Sequence, residues 1–324
     1  MRIIIVLFAA AFFILIASCS KTVDSTARNR VVIDRWLELW NTGDLSIADE
    51  ILAPGFASHI PHFSQITDTG SYKAEIARSG DEIPDFHAVL EDFITKGDKA
   101  AGRFTATGTA QGVLAGMPVD STRYTNTWIV VFRFADGKIA EEWWQFDLLG
   151  VMQQVGAMPP MPEGPPAMQR TAPEDFAWSA PSQITGDLGS PESNKALVLR
   201  VYRAWNSKNA DTLLTTLDEI YAKDFIYHDP ARPHVTDLAG YKKWVVEEVL
   251  TPFPDFTMPM EDIFAEGDKV VDRWKFTGTF SPFGKPLTQT GTSISRIADG
   301  KIVEEWCDFD MLGTVQQLKA MMEQ

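Results

Sequence analysis

A chain of 324 residues, 45% hydrophobic and 11% aromatic, is long enough for about two domains with real cores. Its formal net charge of -15 argues against nucleic acid or an anionic lipid surface as a partner, since like charges repel. The two cysteines, Cys19 and Cys307, are too few for a disulfide framework or a thiolate metal site.

The chain opens with Arg2 and an apolar run over residues 3–16. This is shorter than the roughly 20 residues needed to cross a bilayer, and it reads as a signal peptide. Its end, Ile16-Ala17-Ser18-Cys19, resembles the lipobox of bacterial lipoproteins. That resemblance implies a lipid anchor on Cys19 and an exported protein tethered in the cell envelope. Ser20 points to the outer membrane if the cell is Gram-negative. An ordinary signal peptide with an incidental cysteine, or an uncleaved anchor, is the competing reading.

Ile33, Trp36, Leu37 and Trp40 follow the i, i+3, i+4, i+7 spacing of a helix with one apolar face. The helix is expected to end near Asn41-Thr42-Gly43, where glycine tolerates a left-handed cap. Further helices are expected over 45–52 and 72–79, then strands over 99–108, 124–134 and 138–147. Asp136-Gly137 between the last two is a hairpin signal. A short segment, 148–152, closes the unit. Pro159-Pro160-Met161-Pro162-Glu163-Gly164-Pro165-Pro166 forms neither helix nor central strand and reads as a linker reaching about Pro191.

Beyond the linker the chain repeats itself. ADGKIAEEWWQFDLLGVMQQ at 135–154 returns as ADGKIVEEWCDFDMLGTVQQ at 298–317. Trp40-Asn41 answers to Trp205-Asn206, Phe56-Ala57-Ser58-His59 to Phe225-Ile226-Tyr227-His228, and Pro84-Asp85-Phe86 to Pro254-Asp255-Phe256. Arg103 answers to Arg273, and Gly108-Thr109 to Gly278-Thr279. Val198, Val201, Tyr202 and Trp205 repeat the first helix, and 241–250 matches the third. A period this long marks a duplicated domain rather than a solenoid. The expected layout is 1–27 leader and tether, 28–158 domain 1, 159–191 linker and 192–324 domain 2. Helices followed by a run of strands imply an α+β fold.

Together, WN, FxxH, PDF, an Arg-bearing strand followed by Gly-Thr, and DGKIxExWxxxDxLGxxxQ resemble the SnoaL-like polyketide and ester cyclases of the nuclear transport factor 2-like superfamily. The resemblance covers both copies nearly end to end. It implies two cone-shaped α+β barrels, each with N-terminal helices on a curved antiparallel sheet and a deep pocket. It also implies that the two domains pair as a pseudo-dimer. The fold hosts many chemistries, so function must be argued from the site. In the cyclases the Asp of the terminal motif is an acid/base residue, a role that carries onto Asp147 and Asp310.

Strict alternation along 139–147 would put Ile139, Glu141, Trp143, Gln145 and Asp147 on one face, and Ile302, Glu304, Trp306, Asp308 and Asp310 on its counterpart, provided no bulge intervenes. A carboxylate beside an indole in an apolar pocket acquires a raised pKa and can take a proton from carbon next to a carbonyl. Asp is equally common as a helix cap, and that alternative stays open. In the Glu141-Glu142 and Glu304-Glu305 pairs, at least one member is expected in solvent, with a surface role. His59 and His228 are candidate proton shuttles, or polar loop residues satisfying backbone groups. Arg103 and Arg273, with Asn126 and Gln289, are candidate ligand-binding groups for a carbonyl or enolate oxygen. Trp40, Trp143, Trp205 and Trp306 are expected as pocket wall or core. Where domain 1 has Trp144, domain 2 has Cys307, so the two pockets need not hold the same ligand. No Gly-rich phosphate loop, nucleophile elbow or zinc helix appears, so no cofactor and no metal is expected. The expected ligand is a small hydrophobic or carbonyl-bearing molecule, either turned over by acid/base chemistry or simply bound and carried.

Overall fold

The computed structural model describes residues 25–114, 117–158 and 186–323. Cys19, the rest of the leader and most of the Pro-rich linker lie outside the described residues.

Domain 1 runs α1 (Ser25–Thr42), α2 (Ser46–Ile51), β1 (Leu52–His59), α3 (Thr69–Glu82), β2 (His87–Lys96), β3 (Lys99–Leu114), β4 (Met117–Ala135), β5 (Lys138–Phe146) and α4 (Leu148–Gln154). Domain 2 repeats the order: α5 (Pro191–Trp205), α6 (Ala210–Ile220), β6 (Tyr221–His228), α7 (Leu238–Trp244), β7 (Met260–Glu266), β8 (Lys269–Phe280), β9 (Lys285–Ala298), β10 (Lys301–Phe309) and α8 (Met311–Met322). A π-helical turn, Val245–Leu250, continues α7. Each domain holds a five-stranded sheet, ordered β1-β5-β4-β3-β2 and β6-β10-β9-β8-β7. The first strand of each domain joins its edge in parallel and the other pairings are antiparallel. This is the α+β fold expected, in tandem.

Local chemistry explains the elements. Ile33, Trp36 and Leu39 are the buried stripe of α1. Asp68 caps α3 through Ser71 N, and Ser190 caps α5 through Ser193 N, each contact contributing about 1 kcal/mol. Asp136-Gly137 and Asp299-Gly300 all have positive φ, the two-residue turn that matches strand twist. Strands β1 and β2 lacked a sequence signal. Pro54 and Gly55 interrupt β1, whose register with β5 shifts between Leu52 and Ala57.

The sheets meet across their outer faces. Ile94, Ala101, Ile129 and Val131 of domain 1 pack against Phe264, Val271, Ile294 and Trp306 of domain 2, with Trp143 alongside. The polar contacts are reciprocal. Lys99 Nζ lies 2.5 Å from Asp262, and Lys269 Nζ 2.7 Å from Asp92. The Arg103 guanidinium sits 4.5 Å above the Trp306 ring, and that of Arg273 4.1 Å above Trp143. Matched residues thus exchange places across the contact, as in a two-fold interface.

Candidate functional site

The last strand of each domain decides what faces inward. Ile139 pairs with Phe134 and Glu141 with Arg133, so Ala140 is an extra residue in β5. Likewise Ile302 pairs with Ile297 and Glu304 with Arg296, leaving Val303 extra in β10. A bulge of this kind turns every later side chain to the opposite face. Ile139 points into the cone of domain 1, but so do Glu142 and Trp144. Ile302, Glu305, Cys307 and Phe309 line the cone of domain 2.

The two cones differ in content. Domain 2 holds a cavity of about 360 Å³, whereas domain 1 holds one of about 110 Å³. The sheet register shows why. Around β5 of domain 1, Phe132 stands opposite Glu142, Val130 opposite Trp144 and Trp128 opposite Phe146. Around β10 of domain 2, Ser295 stands opposite Glu305, Ser293 opposite Cys307 and Gly291 opposite Phe309. Counted back from the WN pairs, Trp36 of α1 becomes Val201 of α5. Trp36 is within 5.3 Å of the Phe104, Phe132 and Trp144 rings, so domain 1 fills its own interior.

Both inward glutamates are buried, and loss of water pushes each carboxyl up to about 7. Their surroundings differ. Glu142 accepts from Ser58 Oγ at 2.7 Å, Trp36 Nε1 at 3.0 Å and Tyr72 Oη at 3.3 Å, and it does not line the domain 1 cavity. Glu305 accepts from Tyr221 Oη at 3.1 Å and Ser295 Oγ at 3.3 Å, and it lines the domain 2 cavity.

Domain 2 adds a second carboxyl. Asp272, paired across the sheet with Ser293, is buried, lines the same cavity and accepts a short hydrogen bond from Tyr202. Burial raises its pKa well above the usual carboxylate range, and the nearby Glu305 charge adds to the effect. Asp272 therefore places a second carboxyl, with its pKa raised by burial, in the cavity that Glu305 lines. Domain 1 has Gly102 at this sheet position, opposite Val130.

At another part of the wall, the Arg232 guanidinium lies 4.8 Å from both the Trp244 and Phe309 rings. It is 3.0 Å from Asp229 and 3.2 Å from Glu248. Trp205, Phe253, Trp274 and Phe276 supply apolar wall. A base near neutrality, a second buried carboxyl on the same cavity and an aromatic enclosure together suit proton transfer at carbon next to a carbonyl.

The family model for SnoaL-like polyketide cyclases matches residues 30–155 and again 195–318. The chain belongs to the SnoaL-like polyketide cyclase family. That membership supports a cofactor-free, cyclase- or isomerase-like function. Among solved structures it is similar to TsrD from Streptomyces laurentii, at 30% identity over 41% of this chain and 97% of that one, with a TM-score of 0.39. It is also similar to IdmH from Streptomyces antibioticus, at 26% identity over 40% and 98% with a TM-score of 0.36. A SnoaL-like polyketide cyclase from Agrobacterium tumefaciens gives 16% identity over 40% and 98%, with a TM-score of 0.36. No curated protein matches the chain.

The structure distributes the candidate residues of these SnoaL-like domains differently from strict alternation. Trp40 and Asn126 line the domain 1 cavity, and Trp205 and Gln289 line that of domain 2. Asp147 and Asp310 do not line either cavity. They cap α4 and α8, accepting from Gly150 N at 3.0 Å and Gly313 N at 2.8 Å, and Asp310 also meets His62 of domain 1 at 2.7 Å. The helix cap was the sequence alternative for these residues.

His59 and His228 also lie away from the cavities. They stack on Trp143 and Trp306 and bond Glu141 at 2.8 Å and Glu304 at 2.9 Å. Trp143, Trp306, Arg103 and Arg273 sit in the contact between the sheets rather than in pocket walls. The physical reason is the bulge, which turns the Glu141-Trp143 and Glu304-Trp306 sets outward. The expected solvent exposure of one glutamate per pair is also corrected in domain 2, where Glu304 and Glu305 are both buried. Glu304 is held by Arg296 at 2.8 Å. Glu305 and Asp272 were missed as site residues. The unused signal was the Gly102-to-Asp272 exchange, a carboxyl on a strand face otherwise formed by Val270, Trp274 and Phe276.

Proposed function

We propose that domain 2 catalyses cofactor-free proton transfer on a small, mostly apolar carbonyl compound, of the kind that opens a ring closure or a double-bond shift. The observation that carries this reading is the buried Glu305 facing a 360 Å³ cavity that it shares with Asp272 and Tyr202. Glu305 removes a proton from carbon next to the carbonyl. The C–H electron pair moves into the enolate, whose oxygen takes a hydrogen bond from the Asp272 carboxyl in the protonated form that burial favours. Attack of the enolate carbon on a second carbonyl of the same molecule closes a ring, as the π pair of that carbonyl moves to its oxygen and the oxygen takes the proton back from Glu305. Return of the proton to a different carbon completes an isomerisation.

Domain 1, with its filled cone and reciprocal sheet contact, serves in this reading as a built-in partner. The lipobox-like segment supports an envelope lipoprotein anchored through Cys19. Cleavage and lipid attachment can be tested by mass spectrometry of the mature N-terminus. A carrier for a small hydrophobic ligand is the second reading, favoured by the aromatic walls around Trp205, Phe253 and Phe276.

Deuterium exchange at the α-carbon of 2-tetralone, followed by NMR, tests the catalytic reading. The wild-type protein should accelerate exchange. Glu305→Gln should lower the rate about 100-fold or more, since a positioned base is commonly worth that much. Glu142→Gln should leave it unchanged. Unchanged exchange in Glu305→Gln would remove the base assignment. Tight binding of 2-tetralone without accelerated exchange would favour the carrier.

A further inference from the structure

We propose that domain 1 carries a second, separate binding site, for a small neutral molecule with a primary amide or lactam group. The site is the 110 Å³ cavity left at the open end of the filled cone. It is unlike the domain 2 cavity in size and chemistry, and its occupant is not the carbonyl substrate proposed there.

Asn126 and Trp128 lie two residues apart on β4, so both side chains point to the same face, and both line the cavity. Asn126 is 9% exposed and Trp128 7%. Neither the Asn126 carboxamide oxygen nor the Trp128 indole nitrogen has a hydrogen-bond partner. Polar groups buried this deeply are nearly always paired, because an unpaired one loses its hydration without compensation. At the matched position in domain 2, Gln289 donates to Thr314 Oγ1 at 2.7 Å, and Gly291 stands where Trp128 would be. Domain 2 has no counterpart of this pair at those two positions, and the unpartnered indole at its own cavity is Trp244 of α7.

The pattern of unmet groups selects the ligand. Asn126 offers one acceptor and an N–H donor side by side. Trp128 adds a donor only, and the indole N–H of Trp144, which also lines the cavity, lies towards Glu142. A cis-oriented amide matches this set. Its N–H meets the Asn126 oxygen, and its carbonyl oxygen accepts from the Asn126 amide and the Trp128 indole. Phe86, Phe146 and Leu148 supply an apolar surround for a short hydrocarbon. The rim disfavours anions. Arg78 is bonded to both Glu75 and Glu82 there, one guanidinium against two carboxylates. A carboxylic acid, ionised near neutrality, is thereby rejected in favour of the uncharged amide.

Propionamide is the probe for the test, with the full chain as the protein. Ligand-observed NMR should give a dissociation constant on the order of a millimolar, the range open to so small a ligand. Asn126→Leu keeps the side-chain volume, removes both amide groups and should weaken binding about tenfold or more. Trp128→Phe should weaken it by a smaller factor. Propionate should not compete. Binding of 2-tetralone to domain 2 should be unchanged in either variant, which also reports that the chain remains folded. Crystals of the wild-type protein soaked in propionamide give an answer independent of the variants. An amide seated between Asn126 and Trp128 supports the site. Water molecules alone at these groups overturn it, as does unchanged affinity in Asn126→Leu.

Discussion

The two domains share a fold and a motif set, yet one is filled and the other hollow. The shared residues are mostly joints. Asn41 bonds both Ala88 N and Ala88 O, and Asn206 does the same to Met258. Asp85 of PDF accepts from Thr109 N at 2.6 Å, and Asp255 from Thr279 N at 2.8 Å. Gln154 and Gln317 each tie the closing helix to a backbone N–H and C=O of the neighbouring strand. The residues that distinguish the domains lie elsewhere, at Trp36/Val201, Gly102/Asp272, Trp128/Gly291, Phe132/Ser295 and Trp144/Cys307. Repeated motifs in this protein therefore report how the cone is assembled. The exchanged positions between them report what the cone is for.

Filling domain 2 should have the largest effect. Cys307→Trp places an indole in the cavity, and 2-tetralone binding, followed by calorimetry, should fall below detection. Retained binding would show that Cys307 does not set the cavity volume. The converse change, Trp144→Cys, removes an indole from a packed core. Deletions of this size cost about 3–5 kcal/mol, to be read from urea unfolding. A much smaller cost would mean that the domain 1 core relaxes around the void.

The pH dependence follows from Glu142 and Glu305. Burial raises each from 4.5 to about 7, so the folded state binds more protons than the unfolded state between those values. Stability is therefore highest below about pH 4.5 for these two groups and falls as pH rises through 7. Each group contributes a loss of about 3 kcal/mol. Glu142→Gln and Glu305→Gln should each flatten part of that slope in urea titrations at several pH values. Exchange catalysed by Glu305 should run the opposite way, rising with pH through about 7, because the base must be ionised. A rate that does not change over this range would separate Glu305 from the chemistry.

The contact between the sheets should respond less. Arg273→Met removes a guanidinium from the Trp143 face and should cost about 1 kcal/mol. Lys99→Met breaks a partly exposed pair with Asp262 and should cost about 0.5 kcal/mol. Thermal unfolding of the single variants and of the double variant measures both and tests whether they are independent.

Much of the architecture was open to sequence reasoning because it rests on local signals. The apolar stripe of α1, the Asp-Gly turns and the duplicated terminal motif are each legible within a few residues. Strands β1 and β2 were not. Pro54 and Gly55 interrupt β1, and β2 carries a register shift between Leu90 and Asp92, so neither shows clean alternation. Among the site candidates, Trp40, Trp205, Asn126 and Gln289 reach cavities, while the aspartates, histidines and arginines hold the scaffold or the sheet contact.

From its order of residues alone this chain declares a duplicated α+β domain, the motifs that join its parts and the Trp144-to-Cys307 exchange that makes the pockets unequal. Which carboxylates face the cavities is a tertiary matter. Ala140 and Val303 are ordinary residues in strand sequence, and nothing local marks them as extra. They are forced out of register only when β5 pairs with β4 and β10 with β9. Because side chains alternate with a period of two, one unpaired residue is enough to exchange Glu141 for Glu142 and Glu304 for Glu305 at the interior face.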